Sequence, residues 1–572
     1  MRRRLRRSLM CLGMLAALPL YPGLVHGQAA VVPGQETSRS QSALPTPQQL
    51  NPAAQAPKPK HANDIFLAPE PGPCPLRDSP LTFVLKGVEF TGADGIKAAK
   101  LLPAFNGLIG QRVPVWTVCD IRDRAEAALF HAGILARVEI PSQRIADGKL
   151  QLEVIEARIV SVRFHGDAGP AEAKVEDYLE HLRGLIPFDL NIAQRYLLLA
   201  AEVPGVQISA AIRPSSQGRG AVDLVVTATR KVLDVAVSAQ NLGSANLGPW
   251  AGLTRVDLNG LTPFGDRTSL VYYSTFDGRE QKVEQLLEEF RPGDSGLLIN
   301  GSLSYSQTEP GGDLSPLGLK GDSVDLLLKA SYPLIRKQHE NLSLISGLEY
   351  VNEDTTQSGG QQVINDRLRV LFVRAEADAR GSLWDRPWTI GGGLELRKGL
   401  DFLDSSPRGE AALSHTGANP EAFVQRLDGH ITFDPWPRLE LYAAGTLQDA
   451  DTPLLTFEQL AVGNLTYGRG YDPSSVAGDR GAAGSVEWRV GPFSPVPKLS
   501  VQGYAFFDVA YAKYIDQIGS ASTVRSTGGG LRFSYDDRFD LDLGYADPLD
   551  KINVTAARPP PARLLVTLSA RY

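Results

Sequence analysis

The sequence predicts a transmembrane antiparallel β-barrel of about 16 strands preceded by two small α+β domains. Three observations carry this. From Val232 to Tyr572 the chain is a succession of strand-like segments of alternating polarity, cut by glycine and aspartate turns, with no apolar run long enough for a spanning helix. Ahead of that run, strand and helix periodicities follow one another in the same order twice over. The chain also opens with the charge and hydropathy pattern of an export signal.

In that signal, Met1-Arg2-Arg3-Arg4-Leu5-Arg6-Arg7 precedes an apolar stretch from Leu9 to Leu24, and Val25-His26-Gly27 follows, so residues 1–27 read as a secretory peptide cleaved near Gly27. The alternative is a retained anchor. Pro19, Pro22 and a length short of the ~20 apolar residues of a spanning helix favour cleavage. Arg6-Arg7 suggests the twin-arginine route, but Ser8-Leu9-Met10 does not continue that pattern, and a barrel chain must stay unfolded until it inserts; the general secretory route is expected. Cleavage removes five arginines and takes the formal net charge from −6 to about −11. Such a chain lacks the basic patch that nucleic-acid binding needs.

Of three cysteines, Cys11 leaves with the signal. Cys74 and Cys119 remain, an even count in an oxidising compartment, and a disulfide is the economical expectation, with two buried free thiols as the alternative. Residues 28–80 are rich in proline, glutamine, alanine and serine, as in Pro45-Thr46-Pro47-Gln48-Gln49, and cannot bury a core. They read as an N-terminal extension.

Residues 81–157 switch to a βααββ pattern. Phe83 to Phe90 alternates as a strand, Asp120 to Phe130 has helical spacing, and Arg137 to Gln143 and Lys149 to Glu156 are two more strands. A second copy occupies residues 158–230, with a strand at Ile159–Phe164, helices at Lys174–Leu182 and Asn191–Ala201, and strands at Val206–Ile208 and Val222–Val226. Residues 231–572 then form the barrel. Its strands include Val232–Ala239, Gly252–Leu258, Ser269–Thr275, Leu297–Tyr305, Val324–Tyr332, Ser343–Tyr350, Leu368–Ala375 and Ile390–Leu396, and the last, Leu564–Tyr572, keeps Leu564, Val566, Leu568, Ala570 and Tyr572 on one face. A soluble β-sandwich or propeller would also alternate, but has no need of an export signal and an aromatic closing strand together.

Near the end of this run stand two short segments, Tyr467-Gly468-Arg469-Gly470-Tyr471 and Phe506-Phe507-Asp508. An arginine between glycines sits at a tight turn, because glycine supplies backbone angles other residues avoid. Along the second strand Val501, Gly503, Ala505, Phe507, Val509 and Tyr511 share an apolar face, which places Gln502, Tyr504, Phe506, Asp508 and Ala510 on the lumenal one. A guanidinium inside the barrel requires a carboxylate, and Asp508 supplies it.

The pairing resembles the signature of the BamA-like outer-membrane superfamily, and within it the TpsB transporters of two-partner secretion, of the ShlB/FhaC/HecB kind. The family pattern is valine-arginine-glycine-tyrosine in the loop and phenylalanine-x-aspartate-x-glycine on the strand; here Gly468 stands for the valine and Ala510 for the last glycine. The two α+β units look like POTRA domains, and Pro141-Ser142-Gln143 through Gly148 to Glu156 is close to the first unit of that family. Similar cysteine pairs bracket the first periplasmic domain in some members. Many relatives carry a helix in the N-terminal extension that plugs the barrel, although the prolines here leave few uninterrupted turns for one. Gln240-Asn241-Leu242-Gly243 and Ala330 to Leu334 also resemble TpsB barrel segments, so that the resemblance spans about residues 74–572.

It implies that the POTRA domains capture an unfolded, secreted TpsA-type exoprotein in the periplasm and that the barrel passes it outward. The protein then lies in outer-membrane lipid as a monomer, put there by the barrel assembly machinery, which reads the terminal Tyr572. Arg469 and Asp508, with Gly468, Gly470, Tyr471 and Phe506, become a latch for a lumenal loop. An insertase of the same superfamily, with more POTRA units, and a passive porin or uptake receptor are the alternatives.

Chemistry is not expected. Gly293-Asp294-Ser295-Gly296 echoes a protease nucleophile segment, but none of the eight histidines stands in a matching setting, and a serine nucleophile needs a base held by a third group. There is no His-Glu-x-x-His and no Cys-x-x-Cys, so no metal site is expected. The glycines at 391–393 and 528–530 lie inside strand sequence and mark close packing, where a phosphate loop would open a helix. No cofactor is implied.

Overall fold

The computed structural model describes residues 73–572 except 93–99, 146, 184, 186–189, 464–466, 518–519 and 553–557. The export signal, most of the extension and any plug helix within it lie outside the described residues.

The first α+β unit contains β1 (Thr82–Val84), β2 (Gly87–Thr91), β3 (Arg112–Pro114), helix α1 (Thr117–His131), β4 (Ala136–Glu139) and β5 (Lys149–Glu156). Its sheet runs β2-β5-β4, with β2 parallel and β4 antiparallel to β5. Leu85, Ile121, Ala125, Leu129, Val138, Leu150 and Leu152 fill the core between α1 and the sheet. Cys74 and Cys119 form the expected disulfide, with Cα atoms 5.8 Å apart across 45 residues of sequence. Closing such a loop stabilises by about 2–4 kcal/mol in the chain-entropy account.

Three details differ from the sequence reading. The strand expected at Phe83–Phe90 is broken: Leu85 turns into the core and exchanges backbone hydrogen bonds with Gln111 and Gly110, so that β1 pairs with β3 while β2 pairs with β5. Two short 3-10 turns that the sequence reading did not place, Leu102–Ala104 and Asn106–Leu108, precede β3, and the part of the β2–β3 connection at 93–99 lies outside the described residues. The strand expected to reach Gln143 stops at Glu139, since Pro141 has no N–H to donate. The Gln143 side chain then takes over the edge, donating from Nε2 to Gln151 O at 2.6 Å and accepting the Gln151 N–H at Oε1 at 2.8 Å.

The second unit contains β6 (Arg158–Gly166), α2 (Glu172–Glu180), α3 (Leu190–Ala201), β7 (Val206–Pro214) and β8 (Ala221–Arg230), in a sheet ordered β6-β8-β7. Val175, Tyr178, Leu179, Leu197, Leu224 and Val226 are buried between helices and sheet. Among the described residues β6 and β7 each pair on one side only, which leaves two free edges.

Residues 233–571 form a closed antiparallel barrel of sixteen strands. These are β9 (Leu233–Gln240), β10 (Ala251–Asn259), β11 (Arg267–Thr275), β12 (Gln281–Phe290), β13 (Leu298–Thr308), β14 (Lys320–Arg336), β15 (Glu340–Gln357), β16 (Gln361–Leu383), β17 (Arg386–Gly399), β18 (Phe423–Trp436) and β19 (Leu439–Ala450). After the loop strands β20 (Leu460–Val462) and β21 (Val476–Gly478) come β22 (Arg480–Phe493), β23 (Leu499–Lys513), β24 (Ser522–Tyr535), β25 (Phe539–Pro548) and β26 (Arg563–Arg571). The period-2 rule sorts the residues as expected: Leu270 and Tyr272 face outward at 53% and 47% exposure, while the alternating Ser269, Val271 and Tyr273 are buried. Closure rests on the shortest barrel pairing, five residues from Thr567 opposite Gln240 to Arg571 opposite Ala236. Beyond it the Asn241 side chain acts as an extra backbone link, donating to Leu564 O at 2.7 Å and accepting the Val566 N–H at 2.6 Å.

At 17, 18 and 23 residues, β14, β15 and β16 exceed the ~10 that cross a bilayer. They stand above the rim at the end away from the α+β units, where Leu413 and Ala418 of the 400–422 loop bury against Val351, Leu368 and Val370. At the opposite end the second unit sits on the barrel turns. Lys174 of α2 donates to Gly293 O at 2.8 Å, and Arg195 of α3 donates to Ser295 O at 2.8 Å and Pro333 O at 2.6 Å. Gly293-Asp294-Ser295-Gly296 is thus a seat for that unit.

Glu126 of α1 gives the first unit a pH signature. It is 2% exposed, accepts the Val138 N–H at 2.7 Å and pairs with Arg137 at 3.1 Å. Burial raises its pKa above the ordinary 4.5, more than the Val138 hydrogen bond and the Arg137 charge lower it. A carboxyl raised on folding stabilises most while protonated, and that contribution is lost as pH rises through its folded pKa. The stability of the first unit relative to Glu126→Gln is therefore expected to fall as pH rises from about 4.5. Denaturant unfolding of both forms across pH 4–8 checks this; a constant or rising difference contradicts it.

Candidate functional site

The loop joining β19 to β22 leaves the outer end of the barrel at Asp451 and turns back into the lumen. Its two limbs pair as β20 and β21, with Leu460 opposite Gly478 and Val462 opposite Val476. Between them lies Gly468-Arg469-Gly470. Gly468 has φ +81°, a left-handed backbone that strains any residue with a Cβ, and at Gly470 a Cβ would lie 2.7 Å from the Pro548 nitrogen. One glycine makes the turn and the other lets it approach the wall.

Arg469 is 8% exposed and Asp508 is fully buried. The two meet as the sequence predicted: Arg469 Nε donates to Asp508 Oδ2 at 3.0 Å and Nη2 to Oδ1 at 2.8 Å, a bidentate fork. The Arg469 backbone N–H donates to the same Oδ2 at 3.0 Å, so the aspartate fixes the loop's main chain as well as its side chain. The sequence reading missed three further partners. Nη1 of Arg469 donates to Glu487 Oε2 at 2.8 Å, Nη2 to Ser485 Oγ at 2.8 Å, and Ser526 Oγ donates to Asp508 at 3.3 Å. Ser485 and Glu487 alternate along β22 on the lumenal face, a pattern that marks them as inward but does not say how far the loop reaches.

Arg532 and Arg489 balance the second carboxylate, each 2.7 Å from Glu487 Oε1. Every charge here has an opposite neighbour, the condition for ions to persist out of water. The Arg469 guanidinium also lies over the Phe506 ring, 3.5 Å from its centroid, and Arg532 over Tyr504 at 4.0 Å. The glycines at 528–530 pack against backbone and rings together: a Cβ on Gly528 would run into Tyr545 O and the Phe506 ring, one on Gly529 would lie 2.6 Å from Tyr504 O, and one on Gly530 would run into Leu543 O and the Tyr504 hydroxyl.

Tyr471 carries the loop on to the last strands. Its hydroxyl is 2.9 Å from Arg525 O and accepts the Asp550 N–H at 2.9 Å. Asp472 pairs with Arg563 at 2.7 Å and accepts the Ala245 N–H at 3.2 Å, so the loop touches both sides of the β26–β9 closure. Ala510, in the place of a glycine, buries its methyl among Val462, Tyr471, Val476, Ala483 and Val524. Tyr572 follows β26 directly at the rim near the α+β units, its main chain exchanging hydrogen bonds with Val235 and its side chain 78% exposed. No group of three or more histidine, cysteine, aspartate or glutamate side chains suited to a metal occurs among the described residues.

A lumenal loop whose tip arginine is bound to the wall of a sixteen-stranded barrel behind α+β units is the setting in which comparison decides. The family model for haemolysin secretion/activation proteins ShlB/FhaC/HecB matches residues 218–533. The chain belongs to that family. The model of the ShlB-type POTRA domain matches residues 83–157, the first α+β unit of this transporter. Among solved structures, CdiB from Escherichia coli aligns with TM-score 0.66 at 15% identity over 96% of this chain and 100% of its own. CdiB from Acinetobacter baumannii aligns with TM-score 0.59 at 15% identity, covering 91% and 94%. BamA from Haemophilus ducreyi lacking POTRA domains 1–3 aligns with TM-score 0.55 at 11% identity, covering 86% and 99%. These identities establish a shared fold. No curated protein matches the sequence. The family places this member in the outer membrane as a two-partner secretion transporter of the TpsB type, with POTRA structure on the periplasmic side.

Removing Arg469 would leave Asp508 and Glu487 buried with less compensation, a loss of about 3–5 kcal/mol for a well-buried pair and less where lumen water screens it. Arg469→Ala is expected to lower the temperature at which the folded barrel converts to the unfolded band on gels. Arg469→Lys is expected to recover part of the loss, because an ammonium cannot reproduce the fork. Equal temperatures for all three contradict the assignment.

Proposed function

We propose that the two α+β units, both of POTRA type, bind an unfolded TpsA-type exoprotein in the periplasm and deliver it to the barrel, which conducts it outward once the Arg469 loop leaves the lumen. The observation that carries the reading is the combination of two free sheet edges, β6 and β7, with their seat on the barrel mouth. An extended client adds to such an edge through main-chain hydrogen bonds, which demands little of its sequence. It then lies beside the lumen entrance. No nucleotide is required.

Arg469 and Asp508, with Glu487, act as the latch of the resting loop. Outer-membrane lipid faces the outward row of Leu270, Leu303, Phe507 and Leu568. The barrel assembly machinery inserts the chain through the β26 end at Tyr572, and the transporter works as a monomer.

Two experiments test this. Replacing residues 158–230 with those of another family member is expected to abolish export of the native client while leaving the barrel inserted and heat-modifiable; unchanged export would refute client recognition by that unit. Arg469→Ala is expected to lower the exported fraction of the client at least ten-fold with the protein still in the outer membrane. Normal secretion would show the pair to be dispensable.

A further inference from the structure

The loop that carries Arg469 makes a second buried charge contact on its other limb. Glu458 ends a single 3-10 turn, Thr456–Glu458, and is 4% exposed. Arg397 of β17 grips its carboxylate with two bonds, Nε to Oε2 at 2.9 Å and Nη2 to Oε1 at 2.5 Å. Arg426 of β18 adds Nη2 to Oε2 at 3.2 Å. The Glu458 main chain is held too, its carbonyl accepting from Arg426 at 3.0 Å and from Gln448 of β19 at 2.9 Å. Arg397 is oriented from behind by Glu349 at 2.5 Å and Glu395 at 3.3 Å.

The two contacts share no residue and have opposite sign. The tip offers a cation to carboxylates on β22 and β23; the limb offers an anion to guanidiniums on β17 and β18. In the strand order, β19 and β22, where the loop is rooted, lie between these two wall sites. The loop therefore straddles its own roots, and the inverted signs prevent either end from settling on the other's site. Because the sites are separate, breaking one leaves the other intact.

We propose that Glu458 is a second anchor of the lumenal loop, a positioning residue that holds the limb on β17 and β18 and serves as the pivot when the Arg469 tip leaves the wall. That the tip leaves during export rests on the function proposed above; the anchor is tested without a client. Spin labels on the purified full chain, one at Asp537 on a periplasmic turn and the other at Ala461 on the limb or Ser474 beyond the tip, report each half of the loop by pulsed dipolar spectroscopy. Gel migration confirms that each variant is folded. Glu458→Gln is expected to at least double the width of the 461–537 distance distribution and leave 474–537 narrow. Arg469→Ala is expected to do the reverse. Arg397→Gln cuts the same contact from the wall, gives the Glu458→Gln pattern, and stands in should that variant fail to insert. A 461–537 distribution that stays narrow in both the Glu458 and Arg397 variants overturns the proposal, as does Arg469→Ala broadening both pairs alike. If both distributions behave as expected while Arg469→Ala secretes normally, the anchor stands and the transport role of the tip falls.

Discussion

The lumen of this barrel is organised by one requirement: a guanidinium taken out of water must be given back its counter-charges and hydrogen bonds. Arg469 receives them from Asp508, Glu487 and Ser485, and each of these makes a demand in turn. Glu487 needs Arg532 and Arg489; the flat face of the guanidinium needs Phe506; Phe506 needs a residue without a side chain on the neighbouring strand, which is Gly528. The inward faces of β22, β23 and β24 thus form one connected polar network. Such networks are stable when complete and costly when broken.

This explains how a loop fills a pore without becoming part of its wall. A small apolar cluster of Val462, Tyr471 and Val476 against Ala483, Ala510 and Val524 adds to the hold, while surface ion pairs alone would be too weak. A small number of fully paired buried charges supplies the rest. On the function proposed above, release would expose them to water in the lumen, which solvates the separated ions, and the vacated wall would present a polar surface to an unfolded chain. The rim differs: there Lys174 and Arg195 of the second unit donate to main-chain carbonyls, and barrel side chains add to the seat, Arg336 pairing with Glu202 and Arg291 donating to Glu202 O at 3.1 Å.

Much of this was legible because period-2 alternation is strict in a barrel. A strand with Phe507 and Val509 facing lipid must turn Phe506 and Asp508 inward, and the glycines flanking Arg469 mark its turn. The disulfide followed from compartment and count. Glu487 was not legible, because one inward carboxylate among several on consecutive strands carries no sign of which the loop reaches; that depends on shear and register between β22 and β23. Glu458 was hidden for a related reason: its partners, Arg397 and Arg426, lie far upstream and meet it only when the barrel closes. The broken first strand was missed because alternation continues through Leu85 while the hydrogen-bond partner changes, and pattern alone does not report partners.

The central claim is that the client takes the lumen which the loop occupies at rest. Paired positions on β13 test it most directly, since Ser304 is buried on the lumenal face at 2% exposure and Leu303 beside it faces lipid at 46%. A photo-reactive amino acid is placed at each in turn, with a secretion-arrested client produced in the same cells. The account predicts client adducts from position 304 and none from 303. Adducts from 303 with none from 304 would contradict it.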